Sequence, residues 1–514
     1  MIDSTPRRGE QAAGPRRGEQ AAGGHRAVAR TTNPIARRAF APSRTLLVAA
    51  VLLAAALLPA GCATAPPGAR DVPEAPDAFK ADAGPRGAMA DVPPGGEWWR
   101  VFADPALDDL IQRADRDNWT IKLAAARLAQ ARAAARSAFA NRMPRIGAIA
   151  NATRQEGTLT NAASASGNLF VAALNLSYEV DLFGRLAREA KAAERDAAAG
   201  EDLLRSARLL VRADVAESWF ALRALDAERA LVRDAVASRR QSSAITRGLV
   251  ASGLAPELTA VRQRADTEAI AAEALTLDRR RAELENALSV LVGQPASTFH
   301  VTPLPREAAP PGVPAGIPGT VLARRPDVGA ARQAMFAAQT RVGVARDSWL
   351  PTLSLTGLGG LASPVLGTLL RASAGAAGAG GLLGLPLLDG NYGARVDKAN
   401  ADLDAATATY AQQILVAIKD VEDQLSGLRL LAGQDQALRN ATESARRTTA
   451  LVASNYRSGL ASQLELLDAQ RNELRDRREG LRVRAARFQA TVGLIRALGG
   501  GWEAKPPQGP RSTP

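Results

Sequence analysis

Cysteine and histidine are nearly absent from this sequence of 514 residues. Cys62 is its one cysteine, which excludes a disulfide within the chain and a metal site built from several cysteines. The two histidines, His25 and His300, are far apart in the chain, so no histidine cluster is available to bind zinc. The sequence therefore predicts no metal site, no cofactor and no histidine-dependent catalytic residue. Chemistry carried by carboxylates alone stays open at this point.

Aromatic residues are also scarce, at 4% of the chain, whereas alanine, arginine and glutamate are abundant. This composition favours long helices, because these three residues have high intrinsic helix propensity. Beyond residue 62 the sequence contains no apolar run long enough for a membrane-spanning helix. We therefore expect that a crossing of a membrane would have to use a closed β-barrel.

The net charge of +13 is distributed unevenly along the chain. Residues 1–61 hold nine arginines against three acidic residues, and the remaining charges of both signs are interspersed along predicted helices. A basic chain can bind nucleic acid, but no recognised nucleic-acid-binding motif accompanies the charge here. We therefore predict no nucleic-acid partner.

The N-terminal region has the pattern of a secretory signal. Three arginines precede an apolar run at 46–58, which is about 13 residues long and suits a signal-peptide core better than a membrane span. The run ends in a segment that resembles a bacterial lipobox, with Cys62 at the position that receives lipid. Pro59 departs from the usual leucine, and Ala63 after the cysteine favours the outer membrane. The alternative is a plain secretory signal with an incidental cysteine.

The remaining chain contains two copies of one design. The segment Ser252–Ala255 recurs, as Ser458–Ala461, 206 residues later, and Gly184 corresponds to Gly390 at the same spacing. Each copy has the order helix, two strands, long helix, short turn, helix, which indicates a structural duplication. The predicted divisions are a leader at 1–61, a lipid-anchored tether at 62–103, repeat one at 104–302, a Pro-rich linker at 303–318, repeat two at 319–502 and a disordered tail at 503–514.

Periodicity places the elements within each copy. A helix is predicted over Pro105–Asn141, and long helices over Arg185–Ala251 and Asn391–Arg457 would each reach about 100 Å. Alternation of apolar and polar residues predicts strands at Leu174–Val180 and Leu353–Thr356. The glycine-rich stretch 357–384 is interpreted as further barrel strands with an extracellular loop. Apolar residues seven apart predict a coiled-coil seam at Leu467, Leu474, Leu481, Phe488 and Ile495.

Five motifs occur in a fixed order along the chain. They are Trp98–Phe102, Tyr178–Arg185, Arg324–Asp327, Asp389-Gly390 and Leu498–Trp502. Together they resemble the TolC-like outer-membrane efflux proteins, specifically the NodT-type lipoproteins that serve resistance-nodulation-division pumps. The resemblance covers nearly the whole chain beyond the leader.

The resemblance implies a mainly α fold with membrane β-barrel strands. Each protomer of a homotrimer would give four strands to one 12-stranded β-barrel, continued by a long periplasmic α-helical coiled-coil tube. The implied function is the exit duct of a tripartite efflux pump, a channel that conducts small molecules passively across the outer membrane and is not an enzyme. The implied partners are a periplasmic adaptor, an inner-membrane resistance-nodulation-division transporter and outer-membrane lipids.

The resemblance also assigns a periplasmic gate just after the second turn. Leu464 and Asp468 are four residues apart and share one helix face, so a trimer would place three carboxylates and an apolar ring around its axis. Glu465 belongs to the same gate, and Tyr456 corresponds to a latching tyrosine. The alternative is that Glu465 and Asp468 are solvated surface acids. The turns that would contact the adaptor are Ser252, Gly253, Leu254, Ser458, Gly459 and Leu460.

Three other functions compete with the efflux channel. A lipid-anchored coiled-coil adaptor would need one helical hairpin and a small β-domain, whereas this chain predicts two hairpins and barrel-type strands. A periplasmic enzyme would need a nucleophile–base pair or a metal cluster. A duct for protein secretion shares the predicted fold, and the lipobox favours efflux over it.

Overall fold

The computed structural model describes residues 72–80, 96–155, 167–304, 310–314 and 318–501. The predicted leader, the predicted lipid-attachment residue Cys62 and the predicted tail lie outside these ranges. The helices are α1 Pro105–Asp117, α2 Trp119–Ala140, α3 Arg185–Ala251, α4 Glu257–Leu291, α5 Pro318–Arg324, α6 Pro326–Asp347, α7 Tyr392–Arg457 and α8 Gln463–Ala497. The strands are β1 Arg145–Gln155, β2 Gly167–Val180, β3 Thr352–Ser363 and β4 Gly375–Gly384.

The two halves of the chain repeat the same order of elements, which confirms the predicted duplication and the mainly α fold. In each half, helices precede two strands, a long helix, a short turn and a returning helix. Helix α3 has the predicted bounds Arg185–Ala251, and α7 begins one residue after the prediction, because Asn391 is its N-cap. At 1.5 Å per residue each long helix reaches about 100 Å. Among the described residues, no helix combines the length and apolar character needed to cross a membrane.

The predicted single helix at 105–141 is wrong, because Asn118 divides it into α1 and α2. The backbone of Asn118 is extended, and its side-chain oxygen accepts hydrogen bonds from the N–H groups of Thr120 and Ile121 at 2.8 and 3.1 Å. Its amide nitrogen donates to the carbonyl of Leu291 at 2.8 Å. A local cap and a long-range contact therefore both favour the break.

The four strands form one antiparallel sheet in the order β1-β2-β3-β4. Each repeat supplies one β-hairpin, and β2 pairs with β3 to join the repeats, with Tyr178 opposite Leu355. Gly360 leaves no room for a side chain between these two strands, because a Cβ there would be 2.3 Å from the carbonyl oxygen of Ala172. The strands predicted within 357–384 are confirmed, and β3 extends five residues N-terminal of that stretch.

The main apolar core is located where the long helices meet the N-terminal motif. Trp98 and Trp99 are buried, and Phe102 contacts Phe220, which stacks on Phe488 with ring centroids 4.5 Å apart. A second cluster follows the first helical hairpin and consists of Leu225, Val232, Val236, Ile270 and Leu277. The predicted seam is apolar packing between helices, since Leu467 and Ile495 are buried and Leu474 packs against the second cluster.

Part of the predicted tether packs on the helices. Phe79 is buried in the main core, and Val72 packs with Ile414 of α7. The backbone N–H of Lys80 donates to the carboxylate of Glu422 on the same helix at 2.5 Å. Residues 72–80 therefore pack along α7. The composition of the sequence did not indicate this packing.

Candidate functional site: the ends of the helical hairpins

Two short turns close the long helical hairpins, and they have nearly the same backbone. Ser252 and Ser458 are the C-caps of α3 and α7, and the glycines that follow, Gly253 and Gly459, have φ of 73° and 74°. In each turn the backbone N–H of the following leucine, Leu254 or Leu460, donates a hydrogen bond of 2.8 Å to the carbonyl oxygen five residues earlier. This left-handed ending requires glycine, because other residues rarely adopt positive φ.

The predicted adaptor-contacting residues lie in these two turns, which we call the tip turns (Ser252–Leu254 and Ser458–Leu460). The side chains of Leu254 and Leu460 are 76% and 79% exposed. Both turns lie at the ends of α3 and α7 that are remote from the strands, since β2 and β4 precede the starts of these helices. Two exposed leucines therefore mark the far end of the hairpins.

The second turn starts its returning helix with a capping box that the first lacks. The hydroxyl of Ser462 accepts from the N–H of Glu465 at 3.2 Å, and the Ser462 N–H donates to the Glu465 carboxylate at 2.6 Å. The backbone hydrogen bond from Ser462 holds the pKa of Glu465 below its usual value. At the first turn Pro256 is the N-cap and makes no side-chain cap. Glu465 thus stabilises the start of α8, and its part in a gate stays a prediction.

The other predicted gate residues are solvent-accessible. Leu464 and Asp468 are 52% and 56% exposed and lie one helical turn apart on the same face of α8, which we call the gate face. Tyr456, at the end of α7, is 37% exposed. The structure therefore places a carboxylate and a leucine side by side, with a tyrosine on the preceding helix two residues before the turn.

Asp468 belongs to an ion-pair network between the two hairpins that the sequence did not reveal. Arg471 contacts Asp468 at 3.5 Å and donates from Nε to Asp266 of α4 at 2.7 Å. Asp266 also pairs with Arg239 of α3. The spacing of Asp468 and Arg471 would have suggested an i,i+3 pair, but nothing in the sequence joins residues 266 and 471, which are brought together by the packing of two hairpins.

Further arginine–carboxylate networks follow the hairpins away from the turns. Asp435 is buried and contacts Arg439 and Arg487 at 2.5 Å each. Burial alone would raise the pKa of Asp435, but hydrogen bonding and charge from these arginines hold it below its usual value. Asp226 is likewise buried, with Arg223, Arg229 and Arg281 around it. These groups join helices through paired charges, a structural role.

Two of the sequence motifs are also structural. Asp181 accepts hydrogen bonds from the N–H groups of Leu186 and Ala187 at 3.0 and 2.8 Å, and so caps α3 where it leaves the sheet. Arg325 is buried, pairs with Asp327 at 2.7 Å and with Asp420 at 3.1 Å, and donates to a carbonyl near the end of α8. These motifs fix the junctions between elements and make no contact with the gate face.

Carboxylates can also serve as metal ligands. Within the part of the chain that the structure describes, no group of three or more His, Cys, Asp or Glu side chains is placed to hold a metal ion. The acidic residues named above instead have arginine, amide or backbone partners.

Known proteins are similar to this chain in architecture and in sequence. The family described as outer membrane efflux protein matches residues 110–294 and 317–500, one segment in each repeat. The toluene efflux pump outer membrane protein TtgC of Pseudomonas putida is 30% identical over 461 residues, which cover 88% of this chain and 95% of that protein. The cation efflux system protein CusC of Escherichia coli is 29% identical over 463 residues, covering 87% and 97%.

Solved structures agree with the sequence relatives. The outer-membrane channel OprN superposes with a TM-score of 0.78 at 27% identity, covering 85% of this chain and 99% of that one. The CmeC outer membrane channel of Campylobacter jejuni gives 0.75 at 25% identity, covering 85% and 95%. The match in both repeats, over nearly the full length of these relatives, establishes that this chain belongs to the outer membrane efflux protein family.

Proposed function

We propose that this chain is the outer-membrane exit duct of a tripartite efflux pump and that it conducts small molecules passively from the periplasm to the outside. The observation that carries the proposal is the arrangement of the hairpins. Two helices of about 100 Å begin at the sheet and end in two exposed turns, with the gate face beside the second. Such a chain can line a long passage and narrow it at one end.

A homotrimer would complete the passage. The sheet of one chain has two outer strands, β1 and β4, and each has one edge with no partner strand among the described residues. Unpaired edges favour pairing with another chain, and four strands are too few to close a barrel. Apolar side chains such as Ile146, Leu174 and Leu383 are exposed on one face of the sheet and suit contact with outer-membrane lipids. Three copies would give a 12-stranded β-barrel.

Lipidation of Cys62 would add a second attachment to the outer membrane. The helical hairpins would then extend into the periplasm, because the lipid is attached before the first repeat and the strands occupy the membrane. The packing of residues 72–80 on α7 supports this arrangement, since it ties the segment that follows the cysteine to the helices.

The gate would form where three gate faces approach the trimer axis. Three Asp468 carboxylates close together repel one another unless a cation or proton intervenes, so the ring would favour cations and bind divalent ions. Three Leu464 side chains would add an apolar constriction beside them. Tyr456 would hold the closed tip from the preceding helix, while Glu465 keeps the first turn of α8 in place through its capping box.

The tip turns would contact a periplasmic adaptor, and an inner-membrane resistance-nodulation-division transporter would supply the energy. Exposed Leu254 and Leu460 offer apolar contacts, and the serines and glycines of both turns allow close approach of another backbone. The chain would need no cofactor and carry out no catalysis, since its part is to conduct. The pump components TtgC and CusC support this placement among such partners.

The test is the conductance of purified protein in planar bilayers. Replacement Asp468→Ala should raise the single-channel conductance several-fold, because the carboxylate ring that narrows the tip is removed. Glu479→Ala is the matched control, since Glu479 is a half-exposed acid on the same helix three turns further on. A conducting protein that responds equally to both substitutions would place the gate elsewhere. A protein that never conducts would contradict the duct.

A further inference from the structure

The register of the four-stranded sheet assigns its side chains to two different faces, because successive residues of a strand point to opposite sides. Ile146, Leu174 and Leu383 are exposed on the apolar face. The opposite face, which we call the polar face, carries hydroxyl, amide and charged side chains, namely Arg145, Asn151, Thr153, Asn175, Ser177, Glu179, Thr352, Ser354 and Thr356. Apolar Ile149 and Leu358 lie among them. Because the proposed barrel contacts lipid with its apolar face, its polar face would line the lumen.

Charge is rare on the polar face. Among the described strand residues, only Arg145 and Glu179 are charged there. Glu179 is already paired, with the guanidinium of Arg185 at 2.7 Å. Arg145, the first residue of β1, is exposed, and it donates a hydrogen bond to the side-chain oxygen of Asn141. In the part of the chain that the structure describes Arg145 makes no ion pair, so its positive charge is not balanced locally.

A second copy would not balance this charge either. In the proposed barrel, β1 of one copy pairs with β4 of the next, and β4 contains no charged residue. The acid that follows β4, Asp389, pairs with Arg395 of its own chain. In the second repeat the position of Arg145 is taken by Thr352, because each of these residues directly follows the proline before its strand. A trimer would therefore carry three uncompensated arginines at one level, where the barrel meets the helices.

The width of the barrel decides how far these charges act. Twelve strands about 4.8 Å apart and tilted by about 40° enclose a lumen roughly 24 Å across between opposite backbones. The Debye length is about 10 Å at 0.1 M salt and about 3 Å at 1 M. Three arginine side chains that extend inward from the wall would thus influence the whole cross-section at the lower salt concentration, whereas at the higher one their field would stay close to the wall.

We infer that Arg145 is a specificity-determining residue of the duct: its three copies form a positive ring at the helix end of the barrel, which favours anionic over cationic solutes. This inference rests on the proposed trimeric duct. Rings of arginine or lysine select anions, just as rings of carboxylates select cations. The arginine ring lies in series with the proposed gate at Asp468, at the other end of the long helices. Cations would therefore be favoured at the tip and anions at the entrance to the barrel.

The test is the ratio of Cl⁻ to K⁺ permeability, obtained from the reversal potential of the full-length protein in planar bilayers under a KCl gradient at about 0.1 M. The Asp468→Ala protein is the starting point, because its tip no longer carries carboxylates that attract K⁺. Adding Arg145→Ala should lower the ratio about two-fold or more, and Arg145→Lys should keep it, since the positive charge remains. In a gradient at about 1 M, the effect of Arg145→Ala should disappear.

Arg154→Ala is the matched control, because Arg154 is an exposed arginine of the same strand that lies on the apolar face. This substitution should leave the permeability ratio unchanged. If Arg145→Ala does not change the ratio, or if both substitutions lower it equally, the duct stands and the role of Arg145 is wrong. A protein that never conducts would contradict the duct and this inference with it.

Chemical modification tests the charge in protein that has already folded and assembled. The Arg145→Cys variant is inserted in the bilayer, in the Asp468→Ala background, and is then treated with an anionic or a cationic methanethiosulfonate. The anionic reagent should lower the ratio of Cl⁻ to K⁺ permeability, and the cationic reagent should raise it towards the value with arginine. Arg154→Cys should respond to neither reagent. If both reagents shift the ratio in the same direction, or if Arg154→Cys responds like Arg145→Cys, the inference is overturned.

Discussion

The indole nitrogen of Trp219 donates a hydrogen bond of 2.9 Å to Oδ2 of Asp104, and Oδ1 of the same buried carboxylate accepts the N–H of Ala106 at 3.1 Å. Asp104 therefore caps α1 and fixes α3 beneath it. This contact explains why the N-terminal motif with its two tryptophans lies in the main core, next to Phe220 of the same long helix.

Loss of this shared carboxylate should destabilise the protein. Asp104→Ala removes the cap of α1, which costs about 1 kcal/mol, and leaves the buried indole N–H of Trp219 without this acceptor, which costs a further 1–3 kcal/mol or so. The thermal unfolding midpoint followed by circular dichroism should fall clearly. Asp109→Ala is the control, because that acid is half exposed and pairs only one turn away. Equal midpoints for both variants would contradict this assignment.

Arg325 should be essential for joining the second repeat to α7 and α8. Because it is buried and bonded to Asp327 and Asp420, Arg325→Gln should cost about 3–5 kcal/mol. Arg324→Gln, its half-buried neighbour in the motif, is the matched control and should cost much less. A similar fall in the thermal midpoint for both would show that the motif acts through its total charge.

The same pair predicts a dependence on pH. Burial alone would raise the pKa of Asp327, but hydrogen bonds and charge from Arg325 hold it below the ordinary value of 3.8. A lowered folded-state pKa gives stability that is present above 3.8 and is lost as pH falls through the folded value. The difference in thermal midpoint between wild type and Arg325→Gln should therefore shrink on acidification. A difference that grows at acid pH would contradict this reasoning.

Two glycines should respond in opposite directions to alanine. Gly293 has φ of 72°, and a Cβ there would lie 2.4 Å from the carbonyl oxygen of Asp117, so Gly293→Ala should destabilise the end of α4 strongly. A Cβ at Gly480, inside α8, would meet nothing within 4 Å. Gly480→Ala should therefore stabilise the helix by up to about 1 kcal/mol. Thermal midpoints measure both, and a stabilising Gly293→Ala would be incompatible with this backbone.

The capping box of α8 should stabilise the first turn of the helix that carries the predicted gate residues. Ser462→Ala should cost about 1 kcal/mol and speed amide hydrogen exchange over residues 463–466. Ser458→Ala is the control, because its hydroxyl bonds only to a carbonyl of the preceding turn in an exposed position. Unchanged exchange in Ser462→Ala would mean that α8 starts without help from its cap.

The sequence predicted the long and regular helices and strands best. The bounds of α3 and α7 follow from periodicity and from the repeated turns at Gly253 and Gly459, and alternation of apolar and polar residues located β2 and the start of β3. The break at Asn118 was missed, because its cap is supported by the carbonyl of Leu291, which is distant in sequence. Local patterns carry no information about such partners.

The candidate site, too, could be predicted only where a local pattern in the sequence determines it. Leu464 and Asp468 could be placed on one helix face from their spacing, and the turns could be recognised from their glycines. The network of Asp266 with Arg239 and Arg471 could not be predicted, because it depends on which faces of two hairpins pack together. The family resemblance groups Glu465 with the gate, which stays a prediction. Its contacts with Ser462 give it in addition a capping role, which the serine and the glutamate three residues later indicate in the sequence.

The most direct test of a duct that closes at its tip is the block of its current by Mg²⁺ added to one side of a planar bilayer. Protein inserted from one chamber should give uniform conductance steps, and Mg²⁺ should block at a lower concentration from the side that carries the tip turns. Asp468→Asn should abolish this difference, because the carboxylates that bind the cation are gone. Conductance steps that are blocked equally from both sides, or a protein that gives no steps, would contradict the account.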